Sequence, residues 1–129
     1  MGNQVILLDT SVLIEFFRKS NKQKTLFYSL SAKYPQFAVS TITRFEIFVG
    51  QNDNQDEFWN KFFDKIKIID FDDRCAFYAG EIVKQLKRNN KMIEVSDILI
   101  ASTAIANDFL IATLNTKHFI RIKNLKVAN

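Results

Sequence analysis

Three acidic residues stand among apolar neighbours, where a carboxylate is out of place. Asp9 follows the apolar run at residues 5–8, Glu46 lies within the apolar segment 45–49, and Asp97 has only apolar or small residues one helical turn later. Burying an unpaired carboxylate costs several kcal/mol or forces it to take up a proton. Something else in the folded chain must therefore satisfy these three groups.

Other acids in the chain have an ordinary explanation nearby. Glu15 also interrupts an apolar run, but Arg18 and Lys19 stand three and four residues later. That spacing predicts a solvated ion pair on a helix surface. Glu81 has Lys84 in the same relation. The three acids above have no such cation within a helical turn.

A shared metal site explains the three acids together. Separately, Asp9 could be a turn acid, Asp97 an acid favoured by a helix N-terminus, and Glu46 the partner of a distant Arg. If they converge in the folded chain, their mutual repulsion requires a cation, and hard divalent ions such as Mg²⁺ or Mn²⁺ prefer carboxylate oxygens. Zinc is disfavoured, because one Cys and one His cannot complete a normal zinc ligand set.

Alternating strands and helices must position these acids. Short apolar runs predict strands, longer runs with helical periodicity predict helices, and Ser11, Ser40 or Thr41, and Ser96 are the candidate N-caps. This alternation favours a layered α/β domain with a mostly parallel sheet. Strands are expected at residues 5–8, 37–39, 66–69, 110–112 and 125–127, and helices at 12–18, 22–32, 41–49, 55–64, 73–87 and 97–107.

Length and composition predict one globular domain over residues 1–129. No apolar stretch approaches the roughly 20 residues of a membrane span, and we expect neither a signal peptide nor contact with a membrane. The single cysteine, Cys75, fits a reducing compartment, so a cytoplasmic location is expected. A net charge of +4 favours polyanionic partners without identifying one.

Four segments of the chain resemble, in order and spacing, the motifs of the PIN-domain family, notably the VapC-like toxins of type II toxin-antitoxin systems. The first three carry the acids discussed above, and the resemblance extends over nearly the whole chain. The segments are LDTSVLI at residues 8–14, ITRFEIFVG at 42–50, SDILIA at 96–101 and IATLNTKHF at 111–119.

The resemblance implies a three-layer α/β/α domain with a central, mostly parallel sheet of four or five strands. It also implies an endoribonuclease dependent on Mg²⁺ or Mn²⁺, with Asp9, Glu46 and Asp97 as catalytic metal ligands. Many relatives carry a fourth acid where this chain has the neutral Asn115, which is expected to complete the catalytic set by holding water or substrate and to weaken a second metal site more than the first. The implied role is a toxin that inhibits translation, restrained by a VapB-like antitoxin and usually homodimeric.

Further residues are candidates for supporting roles. Thr10, Thr113 and Glu94 are expected beside the acidic centre, and Arg44 is a candidate phosphate contact. His118 suits packing beside its Phe neighbour at least as well as catalysis, so we leave it out of the catalytic set. Three cations at helical spacing form either an RNA-binding stripe or a solvated surface: Lys84, Lys87 and Arg88.

Thirteen phenylalanines in so small a chain predict that some line an exposed surface. The pair Phe16 and Phe17 and the cluster at residues 58–63 are candidates for a dimer interface or for a groove that takes an antitoxin helix. An aromatic-rich core explains the same residues.

Other functions remain open. A non-toxin PIN domain could act in RNA processing or bind RNA or protein without catalysis. A phosphoacceptor receiver domain has a similar length, and Asp70 could imitate its phosphorylated residue, but receivers normally need paired acids after the first strand. A haloacid-dehalogenase-like phosphatase lacks here the second acid two positions after Asp9.

Overall fold

The computed structural model describes residues 4–129, which form four strands and seven α-helices, with short 3-10 turns at Lys22–Lys24 and Asp53–Gln55. The strands are β1 (Val5–Leu8), β2 (Gln36–Ser40), β3 (Lys67–Ile69) and β4 (Leu110–Ala112). The helices are α1 (Thr10–Arg18), α2 (Leu26–Ser31), α3 (Thr41–Gly50), α4 (Asp56–Asp64), α5 (Asp73–Arg88), α6 (Val95–Ala106) and α7 (Thr116–Phe119).

The four strands form one parallel sheet in the order β3-β2-β1-β4. Leu7 of β1 is paired with Ala38 of β2 on one side and Ile111 of β4 on the other. Because the strands are parallel, their carboxyl ends meet at one edge of the sheet, where ligands bind in open α/β folds. The predicted mostly parallel sheet is therefore confirmed.

Helices cover both faces of the sheet. Ile6 and Leu8 of β1 pack into a core with α1, α2 and α4, whereas Leu7 packs into a second core with α5, α6 and α7. Successive side chains of a strand point to opposite faces, so a strand buried on both sides is apolar at every position. The three-layer α/β/α arrangement is confirmed.

Two of the predicted helix caps are wrong. Asp9, rather than Ser11, is the N-cap of α1, and its side chain accepts a hydrogen bond from the backbone N–H of Val12. Glu94, rather than Ser96, occupies the N-cap position of α6. In both cases the helix begins two residues earlier than predicted, α1 at Thr10 and α6 at Val95. The cap by Ser40 on α3 is confirmed by its bond from the Ile42 N–H.

The predicted helix over residues 22–32 is two shorter elements. The 3-10 turn ends before Thr25, whose hydroxyl caps α2 by accepting from the backbone N–H of Tyr28. Lys22 Nζ donates to the carbonyls of Phe16 and Phe17 at 2.5 and 2.8 Å, which holds the turn against the end of α1. These local bonds replace the continuous helical ladder that the apolar spacing predicted.

Two features near the end of the chain also differ from prediction. The expected strand at residues 125–127 is reduced to one parallel bridge between Ile111 and Val127, and the short helix α7 was not predicted. Across residues 4–129, none of the helices combines the length and apolarity needed to cross a bilayer.

Candidate active site

A pocket of about 240 Å³ lies at the carboxyl edge of the sheet, and it brings together residues that are far apart in the sequence. All four predicted catalytic residues line it, as do Thr10 and Glu94. The remaining predicted support residue, Thr113, donates a hydrogen bond to Asp9. The predicted residues in the pocket wall are Asp9, Thr10, Glu46, Glu94, Asp97 and Asn115.

Asp9 is almost fully buried, with 1% of its surface exposed. Its Oδ1 accepts from Ser11 Oγ at 2.5 Å, and its Oδ2 accepts from Thr113 Oγ1 at 2.6 Å. The backbone N–H of Asp9 donates to the carbonyl of Ala112, which fixes the end of β1 to β4. The carboxylate is therefore held by two hydroxyl groups, one from the first turn of α1 and one from the residue that follows β4.

Glu46 reaches the pocket from α3. It lies between a residue that faces the core and one that faces solvent. Ile47 is buried in the core and Phe45 is exposed to solvent. Thr10 Oγ1 donates to Glu46 Oε1 at 2.5 Å and lies 3.2 Å from the hydroxyl of Thr43. This bond across 36 residues joins the first turn of α1 to the middle of α3.

Asp97 lies in the first turn of α6 and lines the same pocket as Glu46. Its Oδ2 is 3.4 Å from Nδ1 of His118, which follows β4 in α7. Glu94 stands at the N-cap of the same helix and is exposed. The beginning of α6 thus contributes two carboxylates to the pocket.

Burial disfavours the ionised forms of Asp9 and Asp97, and repulsion between the acids adds to this effect. Desolvation raises the pKa of Asp9 against the opposing hydrogen bonds from Ser11, Thr113 and Val12, and the charge of Asp97 raises it further. Burial likewise raises the pKa of Asp97; His118 opposes the shift, and the charges of Glu94 and Glu46 add to it. Both shifts show mainly that burial in the pocket disfavours the ionised carboxylates, and the neighbouring acids contribute less.

Sequence comparisons agree with this architecture. The PIN domain family profile matches residues 6–125. The chain belongs to the PIN domain family.

Relatives and solved structures of this family extend over almost the same length. Ribonuclease VapC2 of Rickettsia felis is 33% identical, with 97% of each chain covered. The crystal structure of VapBC2 from Rickettsia felis bound to a promoter DNA fragment contains a chain with a TM-score of 0.83, 28% identity and 98% coverage of both chains. A toxin-antitoxin complex from Klebsiella pneumoniae gives a TM-score of 0.75 at 27% identity, covering 93% of this chain and 94% of the other.

The donor set of this PIN domain fits a hard divalent cation in its chemistry. Asp9, Glu46, Asp97 and Glu94 supply oxygen ligands around one pocket, which suits Mg²⁺ or Mn²⁺. Within residues 4–129, however, no three His, Cys, Asp or Glu side chains stand close enough together to enclose an ion. The carboxylates are instead engaged by hydroxyl and imidazole groups of the protein.

Some residues of the PIN domain pocket escaped the sequence reasoning. Ser11 was assigned only a capping role, and Ser96 likewise, whereas both line the pocket. His118 was set aside as a packing residue, yet it is half-exposed and faces Asp97. Its position three residues after Asn115, within the same motif, was the available signal.

The cations predicted to contact RNA lie away from this pocket. The guanidinium of Arg44 is stacked between the rings of Phe48 and Phe63, 4.0 Å from each ring centre, and burial lowers its pKa. The other three are exposed on α5, on the opposite side of the sheet from α1 and α4: Lys84, Lys87 and Arg88.

The aromatic residues of α1, α2 and α4 pack mainly on one another. Trp59 and Phe63 are buried, while Phe16, Phe58 and Phe62 are half-buried and leave an apolar cavity of about 380 Å³ between the helices. The prediction that some phenylalanines are exposed is confirmed on α3 and α5, at Phe45, Phe48 and Phe77.

Proposed function

We propose that this PIN domain is a metal-dependent endoribonuclease and the toxin of a toxin-antitoxin pair, inhibiting translation by cutting RNA in the cytoplasm. The convergence of Asp9, Glu46 and Asp97 on one pocket at the carboxyl edge of the sheet carries the proposal. The similarity to the ribonuclease VapC2 supports the reaction, and the similarity to solved VapBC and toxin-antitoxin complexes supports the role.

The three acids hold Mg²⁺ or Mn²⁺ in this proposal. A bound ion of this kind supplies a water of lowered pKa and neutralises charge on the phosphate oxygens. Asp9 is already fixed by Ser11 and Thr113. Thr10 donates to Oε1 of Glu46, and the carboxylate would still have lone pairs on both oxygens with which to bind the ion.

Other groups of the chain position the acids and the substrate. His118 orients Asp97 through the contact at Nδ1. Asn115 is exposed at the pocket wall, where its amide can hold a water or a phosphate oxygen. As a neutral residue it adds no charge, so it would support a second metal ion less than the acid of many relatives would.

A VapB-like antitoxin and a second copy of the chain are the proposed protein partners. The apolar cavity between Phe16, Phe27, Phe58 and Phe62 suits the apolar face of an antitoxin helix. The exposed side chains of α3, among them Phe45, which is 63% exposed, suit a homodimer interface.

RNA cleavage by the purified protein tests the proposed function. Transfer RNA, ribosomal RNA and short single strands are incubated with Mg²⁺, Mn²⁺ or EDTA. We expect metal-dependent cutting that falls at least about 100-fold in Asp97→Asn. Asp64→Asn, at an exposed carboxylate on α4, is the matched control and keeps full activity.

The folding of Asp97→Asn serves as the check on this result. Because the pKa of Asp97 is raised in the folded state, its ionised form opposes folding above that pKa, and the neutral variant is at least as stable as the wild type at pH 7 without metal. A folded Asp97→Asn protein with full activity refutes the assigned centre. A folded, metal-loaded wild type that cuts none of these RNAs favours a binding or RNA-processing role instead.

A further inference from the structure

A second pocket adjoins the acidic one and shares part of its wall. Ile14 of α1 and Glu46 of α3 line both pockets. The second pocket, of about 140 Å³, lies between α1, the end of α3 and the beginning of α4. Because the two pockets share these residues, a chain whose phosphate occupies the acidic pocket can place a neighbouring nucleotide at this opening.

The lining of the second pocket is mixed in a way that suits a nucleobase. Phe17 is the half-buried aromatic residue of the wall, backed by the buried Trp59, whose ring centre is 5.3 Å from its own, and by the buried Ile47. Gln55 accepts a hydrogen bond from the backbone of Asn52 through Oε1, which leaves its amide nitrogen to donate. Proteins that read single-stranded RNA place unstacked bases against aromatic side chains and bond their edges with such polar groups.

Arg18 gives the second pocket a cation at its rim. It is exposed, and within the part of the chain that the structure describes no carboxylate forms an ion pair with it. The neighbouring Lys19, by contrast, is paired with Glu15. An unpaired guanidinium beside an aromatic wall is suited to a phosphate or to the plane of a base.

We infer that the second pocket binds the base of the nucleotide next to the scissile phosphate of a single-stranded RNA, with Arg18 contacting the adjoining phosphate. The inference rests on the proposed nuclease function. It assigns to this pocket the preference of the nuclease for particular RNA sequences. The pocket provides the base contacts, whereas the acidic pocket handles only the backbone, which carries no sequence information.

Gly50 provides a way to close the pocket without disturbing the core. It lines the second pocket at the end of α3, and a Cβ built on it meets no atom within 4 Å. Leucine also has a higher helix propensity than glycine, so Gly50→Leu is expected to fold. Gly80 on α5 has the same open surroundings and lies outside both pockets, which makes Gly80→Leu the matched control.

Cleavage kinetics test the inference with an RNA that the wild type cuts. Gly50→Leu is expected to lower kcat/KM about tenfold, mainly by raising KM, as the loss of one base–aromatic contact does. Gly80→Leu keeps the wild-type value. An abasic nucleotide beside the cut costs the wild type about tenfold at one position, but costs Gly50→Leu nothing more, because the same contact is already lost.

Either equal kinetics of Gly50→Leu and wild type, or an abasic penalty of the same size in both, overturns the inference. A binding assay separates the base-pocket inference from the nuclease proposal. In this assay, fluorescence anisotropy measures how tightly each variant binds a labelled single-stranded RNA in EDTA. If the wild type cuts no RNA, the nuclease proposal fails, and weaker binding by Gly50→Leu than by Gly80→Leu still supports the base pocket. Equal binding by the two variants overturns the pocket as well.

Discussion

At the scale of single residues, the buried carboxylate of Asp9 depends on hydroxyl groups that position it. Thr113 contributes its bond from the end of β4, 104 residues away in sequence, and also accepts from the backbone N–H of Asn115. Ser11 bonds to the other carboxylate oxygen and accepts from the backbone N–H of Leu114. These hydroxyls link the first acid to the loop that carries the last predicted site residue.

Removing one of these hydroxyls should weaken metal binding. Thr113→Val keeps the shape of the side chain but leaves Asp9 Oδ2 without its donor, and groups that orient metal ligands are typically worth about tenfold or more in affinity. We therefore expect the Kd for Mn²⁺, measured by calorimetric titration, to rise about tenfold. Thr116→Val, at an exposed position on α7, is the control. Equal affinities of the two variants contradict the positioning role.

At the scale of elements, Glu15 joins two helices. The sequence predicted a solvated ion pair, but the side chain is only 15% exposed. One carboxylate oxygen accepts from the backbone N–H of Leu26 at 2.8 Å, at the start of α2, while the other is paired with Lys19 at 3.0 Å. The ion pair is confirmed, and its solvated character is wrong because α2 covers it.

The pKa of Glu15 makes this junction sensitive to pH. Burial raises the pKa, but the bonds from Leu26 and Lys19 outweigh it and lower the pKa below 4.5. A lowered pKa means that Glu15 stabilises the fold above pH 4.5 and loses this contribution as pH falls through the folded-state value. Glu15→Ala should lower the free energy of unfolding by about 1–2 kcal/mol at pH 7.

The exposed pair Glu57–Lys61 has the same spacing as Glu15–Lys19 and provides the control, with Glu57 82% exposed. Glu57→Ala should cost no more than about 0.5 kcal/mol at either pH, because exposed pairs contribute little. Urea unfolding at pH 7 and below the folded-state pKa measures both variants. A Glu15→Ala cost that persists unchanged at the lower pH contradicts the role of its charge.

At the scale of the whole molecule, the sheet is closed on one side by the segment at 125–129. The backbone N–H of Ile111 donates to the carbonyl of Lys126 at 2.9 Å, and the N–H of Ala128 donates to the carbonyl of Ile111 at 2.8 Å. Ala128 is buried and Val127 packs against the core of α5 and α6. This segment covers the open edge of β4, the strand that Thr113 directly follows.

Deleting residues 125–129 should therefore weaken the whole fold. The two lost hydrogen bonds and the exposed apolar surface are together worth about 2–4 kcal/mol in the free energy of unfolding. The uncovered edge of β4 should also promote association between chains, visible by size-exclusion chromatography. Lys126→Ala keeps the backbone bonds and is the control. Unchanged stability of the truncated chain refutes this role of the segment.

The sequence by itself determined the acids of the site and the class of fold. Asp9, Glu46 and Asp97 were identifiable because each conflicts with its apolar surroundings, and a charge in such a place needs a specific partner. The continuous apolar run at β1 indicated a strand buried on both faces, which is typical of a parallel sheet covered by helices on both sides. These signals are local, so they can be recognised in short segments of one sequence.

Only the tertiary structure decided which groups meet across the chain. The hydroxyls of Thr10 and Ser11 bond to different acids, Glu46 and Asp9, although they are neighbours in sequence. The burial of Glu15 depends on α2, and the role of His118 depends on where α7 lies relative to α6. Such contacts are set by the packing of whole elements, so their partners leave no spacing pattern in the sequence.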